Sequence, residues 1–225
     1  MRTIAQKMKA AVLDIFYPRL CIACGSYGAW VCEPCAQKLP ACSFGVASRQ
    51  AQGIPCHAVY SYDSNMVRTI VHALKYEGVK ELATFMSCAM SRWWRKNSVL
   101  NVLPLDRSIL IPIPLHIKKL RERGWNQAEL IAHELGSQLG VSVESGALIR
   151  TKNTQPQSSL SRQERILNMK DAFLCVPTAS MEGKIIILID DVATTGATLN
   201  QAASALRMRG GTDIRGFVCA RGDQA

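Results

Sequence analysis

The sequence lacks a hydrophobic run long enough to cross a membrane. A transmembrane helix needs about 18 to 20 consecutive apolar residues, and the apolar run Ile185–Ile189 is far shorter. Disorder is excluded as well, because 48% of the 225 residues are hydrophobic and such a chain can bury a core. We therefore expect a soluble protein.

A recognisable secretion signal is also missing. The apolar stretch near the N-terminus contains Asp14 and leads to no small-residue cleavage site. Ile4, Met8, Val12 and Ile15 recur at helical spacing, which predicts a short amphipathic helix. We expect a cytoplasmic location, where nine cysteines would not form a disulfide framework, and this favours metal binding.

Acidic residues are scarce, 17 against 27 lysines and arginines, and the net charge is +10. Residues 1–60 hold six basic and two acidic residues, residues 61–170 hold sixteen and nine, and residues 171–225 hold five and six. A basic front and middle indicate contact with a polyanion there. The alternative is a basic surface that serves only solubility.

The hydrophobic pattern predicts one ordinary domain and a small module. Helical periodicity occurs at residues 66–74, 82–93, 128–139 and 198–209, and strands are predicted at 109–114, 185–190 and 214–220. Asn126 is the predicted N-cap of the third of these helices, and Gly140 is its predicted end. This alternation predicts an α/β fold with a mainly parallel sheet flanked by helices. We place the N-terminal helix and cysteine-rich module at residues 1–58 and the larger domain at residues 59–225.

Two CxxC pairs dominate the N-terminal module. Their four thiolates can enclose a tetrahedral Zn²⁺, which predicts a structural zinc site formed by Cys21, Cys24, Cys32 and Cys35. A redox CxxC motif is the alternative. Whether Cys42, Cys56 and His57 bind a second metal stays open. The remaining cysteines lie in apolar segments and are expected in the core.

The stretch after the apolar run Ile185–Ile189 is the most informative. Asp190 and Asp191 follow the predicted strand, and a Thr-Thr-Gly-Ala-Thr loop then opens a helix. Loop N–H groups and a helix N-terminus bind phosphate, and the acids can take ribose hydroxyls or place Mg²⁺. The sequence matches neither GxxxxGK[ST] nor GxGxxG. An Asp-Asp turn with threonine caps is the structural alternative.

This order of strand, acids and loop resembles the phosphoribosyl diphosphate signature of type I phosphoribosyltransferases. The resemblance implies that Asp190 and Asp191 bind ribose hydroxyls. It also implies a 5-phosphate site formed by Ala193, Thr194, Thr195, Gly196, Ala197 and Thr198.

Four other segments occur in order between the cysteines and the acids. They are Leu74-Lys75-Tyr76 with Gly78, Pro112-Ile113-Pro114, Arg121 to Gln127, and Thr154 to Asn168. With these segments the chain is similar to the ComF family over nearly its whole length. The resemblance implies a zinc-ribbon module, a phosphoribosyltransferase-type domain, and the handling of incoming single-stranded DNA in natural transformation or DNA utilisation.

Two basic segments carry aromatic residues, a combination that suits single-stranded nucleic acid. The first runs from His116 to Trp125, and the second runs from Arg92 to Lys96. Candidate contacts to nucleic acid or to a diphosphate are Lys118, Lys119, Arg121, Arg123, Lys152 and Arg162. The alternatives are ordinary charge at a helix C-terminus, a solvated loop at residues 151–165, and a core position for Trp93.

Three functional hypotheses follow. The first is a binding protein that engages single-stranded DNA and holds phosphoribosyl diphosphate or a nucleotide, with Mg²⁺ as a further cofactor. The second is an active phosphoribosyltransferase that transfers the phosphoribosyl group to an amine or base and releases pyrophosphate. The third makes the cysteine-rich module a docking platform for a helicase or channel protein of DNA uptake.

Overall fold

A five-stranded parallel sheet forms the centre of the molecule. The computed structural model describes residues 18–42, 53–97, 100–152, 172–176 and 181–222. Every neighbouring pair of strands in the central sheet is parallel, which confirms the predicted fold class. In spatial order the strands are β1 (Cys56–Ser61), β7 (Asp213–Arg221), β6 (Ile185–Ala193), β2 (Ser108–Pro112) and β3 (Ser142–Val143).

Helices pack on both faces of the sheet. One face is covered by α2 (Asn65–Tyr76), α3 (Leu82–Lys96) and α5 (Gln127–Leu139). The other face is covered by α6 (Ala197–Arg207) and by an antiparallel hairpin of β4 (Leu148–Arg150) and β5 (Phe173–Cys175). Two short helices, α1 (Glu33–Gln37) and α4 (Ile117–Arg123), lie in the cysteine-rich segment and just before α5.

The apolar run of β6 explains why the sheet is buried on both faces. Ile187 and Ile189 belong to the core beneath α2, α3 and α5, whereas Ile186 and Leu188 belong to the core beneath α6. A strand covered on both sides is hydrophobic without alternation. This burial places the carboxyl end of β6, and the acids there, at the centre of the sheet edge.

Helix α5 follows its predicted capping signals. Asn126 is the N-cap, and its side chain accepts a hydrogen bond from the Ala128 N–H at 3.2 Å. The Asn126 amide also donates to the Ile113 carbonyl, which ties α5 to the segment after β2. Gly140 ends the helix with φ of 72°, a left-handed conformation that glycine adopts without strain.

The cysteine module, residues 18–42, packs directly on the larger domain. Its residues Val31 and Leu39 join the core that contains α2 and α3. The Cys42 N–H donates to the Val59 carbonyl, and the Ser61 N–H donates to the Pro40 carbonyl. The segment before β1 therefore hydrogen-bonds along the outer edge of the sheet, and residue 58, the predicted domain limit, lies inside β1.

The aromatic residues of the segment from Arg92 to Lys96 are placed differently from the sequence expectation. Trp94 is not an exposed ring among cations: it is 2% exposed, because α3 packs against β7 and Trp94 contacts Phe217 with ring centroids 5.8 Å apart. Trp93 is partly buried against the same core.

The predicted N-terminal helix with Ile4 and Ile15 lies outside the described residues. In the described part of the chain, no helix has the length and apolarity needed to cross a membrane.

Candidate functional site

Four cysteine thiols of the module converge on one point. The Sγ atoms of Cys21, Cys24, Cys32 and Cys35 lie within 4.8 Å of one another, and those of Cys24 and Cys32 are 3.6 Å apart. Four sulfurs around a zinc ion at 2.3 Å would be about 3.8 Å apart. The cluster therefore has the donors and spacing to hold a metal ion such as zinc.

Local backbone turns produce this convergence. The Gly25 N–H donates to the Cys21 carbonyl at 2.7 Å, and Gly25 has φ of 74°, which closes the first CxxC pair into a tight turn. The second pair spans the start of α1, where Cys32 is the N-cap. The Cys32 N–H donates to the Cys21 Sγ at 3.4 Å and joins the two turns.

The thiols of this cluster have divergent acidities. Although burial raises the pKa of Cys21, N–H groups that include that of Cys32 lower it to about 6. Hydrogen bonds with Cys32 and Cys24 raise the pKa of Cys35 to about 12. Four thiolates this close repel one another, and a bound cation would remove that repulsion.

The remaining cysteines and His57 form no further metal-ligating group of three within the described residues. Cys56 lies in β1, and burial raises the pKa of its thiol to about 12. His57 is 1% exposed, and its ring lies 5.5 Å from that of Trp93. Burial and the charge of Arg215 lower the pKa of His57. Cys175 and Cys219 are buried and Cys88 is half-buried.

The two acids lie at the carboxyl end of β6, between β2 and β7. Successive side chains of a strand point to opposite faces, so Asp191 continues the row of Ile189 and Asp190 continues the row of Leu188. Asp190 and Asp191 are 9% and 3% exposed. The Asp191 N–H donates to Asp190 Oδ1 at 2.9 Å, which orients the first carboxylate. In open parallel sheets this edge is where ligands bind.

Residues from two helices complete the surroundings of Asp191. Lys75, near the end of α2, places its Nζ 2.6 Å from Asp191 Oδ2. Gln127, the first residue of α5, donates from Nε2 to Asp191 Oδ1 at 3.5 Å. Arg123 in turn hydrogen-bonds the Gln127 side-chain oxygen through Nη1. A chain of polar contacts therefore runs from α4 to the acid.

The two carboxyl groups differ in acidity. Burial raises the pKa of Asp191, but the Lys75 ammonium more than offsets this effect and the net pKa is lowered. Burial and the charge of Asp191 raise the pKa of Asp190 well above its ordinary value. Burial lowers the pKa of Lys75, but the negative charge of Asp191 outweighs burial and raises this pKa overall. Asp191 therefore carries the negative charge more readily than Asp190.

The loop after β6 forms the entry to α6. Gly196 has φ of 72° and is the N-cap of α6, while the Thr195 Oγ1 accepts a hydrogen bond from the Ala197 N–H at 3.1 Å. Ala193 is buried, Thr194 is exposed, and residues 195–198 are half-buried. The first N–H groups of a helix lack intrahelical partners, so this loop can accept an anion.

The predicted basic contacts separate into two groups. Lys119 and Arg123 are half-buried on α4, and burial followed by the charges of Arg150 and Arg123 lowers the pKa of Lys119. Lys118 and Arg121 are exposed on the same helix, and Lys152 is exposed after β4. Arg162 lies outside the described residues.

Several residues near the acids received no role from the sequence. Lys75 and Gln127 lie within the segments that carry the family resemblance, but nothing in their spacing indicated contact with Asp191. Arg150, at the end of β4, is half-buried and interacts electrostatically with Asp190. Arg221, at the end of β7, lines a small cavity behind the loop with Thr195 and Gly196. Only the fold brings Lys75, Gln127 and Arg150 to the acids.

The parallel sheet, the acid pair and the loop that opens α6 define a phosphoribosyltransferase-type domain. Residues 124–224 match the family described as "Phosphoribosyl transferase domain". The matched region contains β6, the loop and α6, and thus the whole stretch predicted to contact phosphoribosyl diphosphate.

Three curated relatives specify the family further. "Competence protein F" of Haemophilus influenzae is 36% identical over 50% of this chain and 49% of the relative. "Competence protein ComFC" of Bacillus subtilis is 35% identical over 68% of this chain and 58% of the relative. "DNA utilization protein YhgH" of Escherichia coli is 29% identical over 68% of this chain and 66% of the relative. The chain thus spans about half to two thirds of each relative. These similarities confirm the resemblance to the ComF family that the sequence motifs predicted.

Proposed function

We propose that this protein handles incoming single-stranded DNA in natural transformation or DNA utilisation, and that its acid pair binds phosphoribosyl diphosphate or a nucleotide. The buried pair Asp190 and Asp191, followed by the left-handed Gly196 at the start of α6, carries the ligand part of the proposal. The printed names of the relatives support the DNA part.

Each part of a phosphoribosyl ligand has a matching group at this sheet edge. The carboxylates accept hydrogen bonds, as ribose hydroxyls require. Residues 193–198 offer threonine hydroxyls and the helix N-terminus to a phosphate. Carboxylate oxygens also suit Mg²⁺, which binds proteins through few carboxylates together with substrate phosphates. Lys119, Arg123 and Arg150 supply positive charge for a diphosphate nearby.

In the cysteine module we assign zinc to the four thiols, in a structural role. Cys21 and Cys35 are both buried, so the ion would hold together residues that also pack on the core beneath α2 and α3. A closed site with four protein ligands has no open position for catalysis. The outer surface of the module is available to a helicase or channel protein, the partners proposed for it.

Transfer of the phosphoribosyl group to a base or amine is the second candidate. A cleft of about 350 Å³ beside Lys75 favours it, since this volume is in the range of small-molecule sites. Pyrophosphate release measured against a panel of bases and amines tests this candidate. No turnover with any acceptor would refute the transferase and leave ligand binding intact.

The ligand site is tested with the double variant Asp190→Asn and Asp191→Asn. We expect calorimetry with phosphoribosyl diphosphate and Mg²⁺ to show about a hundredfold weaker binding, because charge-assisted hydrogen bonds are lost. Asp213→Asn is the matched control, since Asp213 lies at the opposite end of the sheet and pairs with Arg215. Retained affinity in the double variant would refute the acid pair as ligand site.

The DNA function is tested separately. Fluorescence polarisation at moderate salt should detect binding of a single-stranded oligonucleotide. Charge reversal at Lys118 and Lys119 should weaken this binding. The affinity of the variant should also depend less on salt concentration than that of the parent protein. DNA uptake by cells that carry this variant should fall. No oligonucleotide binding, together with unchanged uptake, would refute the DNA part of the proposal.

A further inference from the structure

A row of aromatic rings with neighbouring cations follows the outer side of α2 and continues to the segment before α5. Trp125 belongs to the first of the two aromatic and basic segments predicted from the sequence, whereas Tyr62 and Tyr76 belong to neither. We define the aromatic strip as Tyr62, Tyr76 and Trp125 with the cations Arg68, Lys80 and Arg123.

Helix geometry explains why part of this strip faces solvent. Residues four apart share one side of a helix, so Arg68, His72 and Tyr76 form a row. Val67 and Leu74 lie on the buried side of α2. Tyr76 is 65% exposed, although a tyrosine ring buries readily. Residues of this row, together with Tyr62 and Lys75, line the cleft of about 350 Å³.

Each ring of the strip has a cation over or beside it. The Arg68 guanidinium lies 5.7 Å from the centre of the Tyr62 ring, and the Arg123 guanidinium lies 5.0 Å from that of Tyr76. The Lys80 ammonium lies 4.8 Å from the centre of the Trp125 ring. A stacking ring beside a positive charge suits a nucleotide, which presents a flat base and a negative phosphate.

Two carboxylates lie beside the strip and offset part of its positive charge. Asp63 lies 3.9 Å from Arg68, and Glu77 lies 3.0 Å from His72. These two carboxylates are therefore engaged in contacts beside the strip. The exposed residues Lys118 and Arg121 of α4 extend the positive charge beyond Arg123.

The strip is joined to the acid pair. Tyr76 directly follows Lys75, whose ammonium pairs with Asp191. The Trp125 indole donates to the Leu74 carbonyl at 3.1 Å, which holds this ring against the end of α2. Arg123 contacts both the Tyr76 ring and Gln127. A strand that follows the rings therefore ends beside the proposed phosphoribosyl site.

We propose that the aromatic strip binds single-stranded DNA by stacking bases on Tyr76 and the adjacent rings. Arg68, Lys80 and Arg123 then move from the ring faces to the phosphates. The exchange is favourable because a base stacked on a ring contributes more than an exposed cation at the same ring. This inference rests on the proposed DNA function and assigns the surface that performs it.

Unstacked bases distinguish single-stranded DNA from other negatively charged ligands of the strip. Bases of a duplex are already stacked on one another, and an acidic peptide would need the cations of the strip but not its rings. Loss of the Tyr76 ring should therefore affect single-stranded DNA only where the strand carries bases.

The test is the full-length variant Tyr76→Leu, titrated with a fluorescent oligothymidylate of about fifteen nucleotides. We expect affinity to fall about tenfold, as for one stacked base, and Tyr76→Phe to bind as the parent protein does. An abasic strand of equal length should bind both proteins equally, because it keeps the phosphates. The salt dependence of oligothymidylate binding should not change, since no phosphate contact is removed.

Tyr27→Leu is the matched control, because Tyr27 is 78% exposed on the cysteine module. We expect its affinity to stay within about twofold of the parent. Three results would overturn the proposed role of the strip. They are unchanged oligothymidylate binding by Tyr76→Leu, an equal loss of its affinity for the abasic strand, and an equal loss of affinity in Tyr27→Leu. If the parent protein binds no oligothymidylate, the proposed DNA function fails and the strip with it.

Discussion

The cysteine module and the acidic edge of the sheet are both identified by short sequence motifs, but they are stabilised differently. The acidic edge consists of Asp190, Asp191 and the loop that follows them. In the module, one helix of five residues and two tight turns support the four thiols. At the acidic edge, strands that are buried on both faces support the carboxylates. We therefore expect metal binding and folding to be coupled in the module, and ligand binding and folding to be separable at the acidic edge.

The charge balance of the two regions differs as well. The module brings four thiols together, and a bound metal ion would remove the repulsion between their thiolates. At the acidic edge, the protein itself supplies the counter-charge, because Lys75 lies 2.6 Å from Asp191. We therefore expect the acidic edge to keep its shape without a ligand, and the module to lose its shape without a bound metal ion.

Metal removal is expected to have the largest effect and tests this contrast most directly. Replacing Cys21 and Cys24 with serine should release the metal and unfold the module, since structural zinc contributes on the order of 10 kcal/mol in small domains. Hydrogen exchange should rise at residues 18–42 and stay slow at residues 185–193. Metal content is measured in the same samples.

Cys88→Ser serves as the control for the cysteine variants. Cys88 is half-buried on α3 and belongs to no thiol cluster, so its replacement should leave metal content and exchange near those of the parent. Unchanged protection of residues 18–42 after complete loss of metal would contradict the coupling of folding and binding.

Lys75→Met is expected to have the next largest effect. It leaves Asp191 buried without its cation, which costs about 3 kcal/mol of unfolding free energy, measured by urea denaturation. Adding Asp191→Asn should recover most of this loss. Because the pKa of Asp191 is lowered, the stabilisation by this pair is present above the unfolded pKa of about 3.9 and is lost as pH falls through the folded pKa.

An additive double variant would contradict this account of Lys75. If Lys75→Met and Asp191→Asn each destabilise the protein and their costs simply sum, the two residues are not energetically coupled. The acidic edge would then depend on packing alone for its shape.

Gly196→Ala should have a smaller effect. This variant tests the backbone conformation of the loop, because the added methyl group has enough room. A Cβ at this position meets nothing closer than Asn200 at 3.9 Å, so only the positive φ is penalised, by about 1 kcal/mol. We expect this loss in urea denaturation and weaker binding of phosphoribosyl diphosphate. Gly146→Ala is the control, because its backbone is not left-handed and its Cβ would meet open space. Equal effects of the two variants would refute a special role for the loop conformation.

His57→Phe should produce the smallest effect, and only in acid. Burial lowers the pKa of His57 in the folded protein, so stability is fully present above the unfolded pKa of about 6.5 and falls as pH drops toward the folded pKa. Phenylalanine keeps an aromatic ring beside Trp93 and does not titrate. Thermal unfolding at several pH values should show a shallower decline below pH ~6.5 for the variant, and a parallel decline would contradict this assignment.

Local patterns in the sequence were sufficient for a large part of this structure. The spacing of four cysteines predicted the thiol cluster, since two tight turns suffice to bring the thiols together. The apolar run before Asp190 predicted the strand that became β6 in a mainly parallel sheet. Asn126 and Gly140 predicted the ends of α5 because capping depends on neighbouring residues only.

Other features depend on contacts between distant segments. Trp94 is buried because α3 lies against β7, and the pattern along α3 gave no measure of that contact. Lys75 and Gln127 reach Asp191 from helices that lie 116 and 64 residues away in the sequence, close enough for a 2.6 Å ion pair and a 3.5 Å hydrogen bond.

The sequence by itself thus determined the fold class, the thiol cluster and the acid-loop motif, because each depends on residues close together in the chain. Only the tertiary structure decided which cation balances Asp191, which rings stay exposed, and how the aromatic strip meets the acidic edge. The physical reason is that ion pairing and ring exposure depend on packing between elements, and this packing exists only after the sheet has assembled.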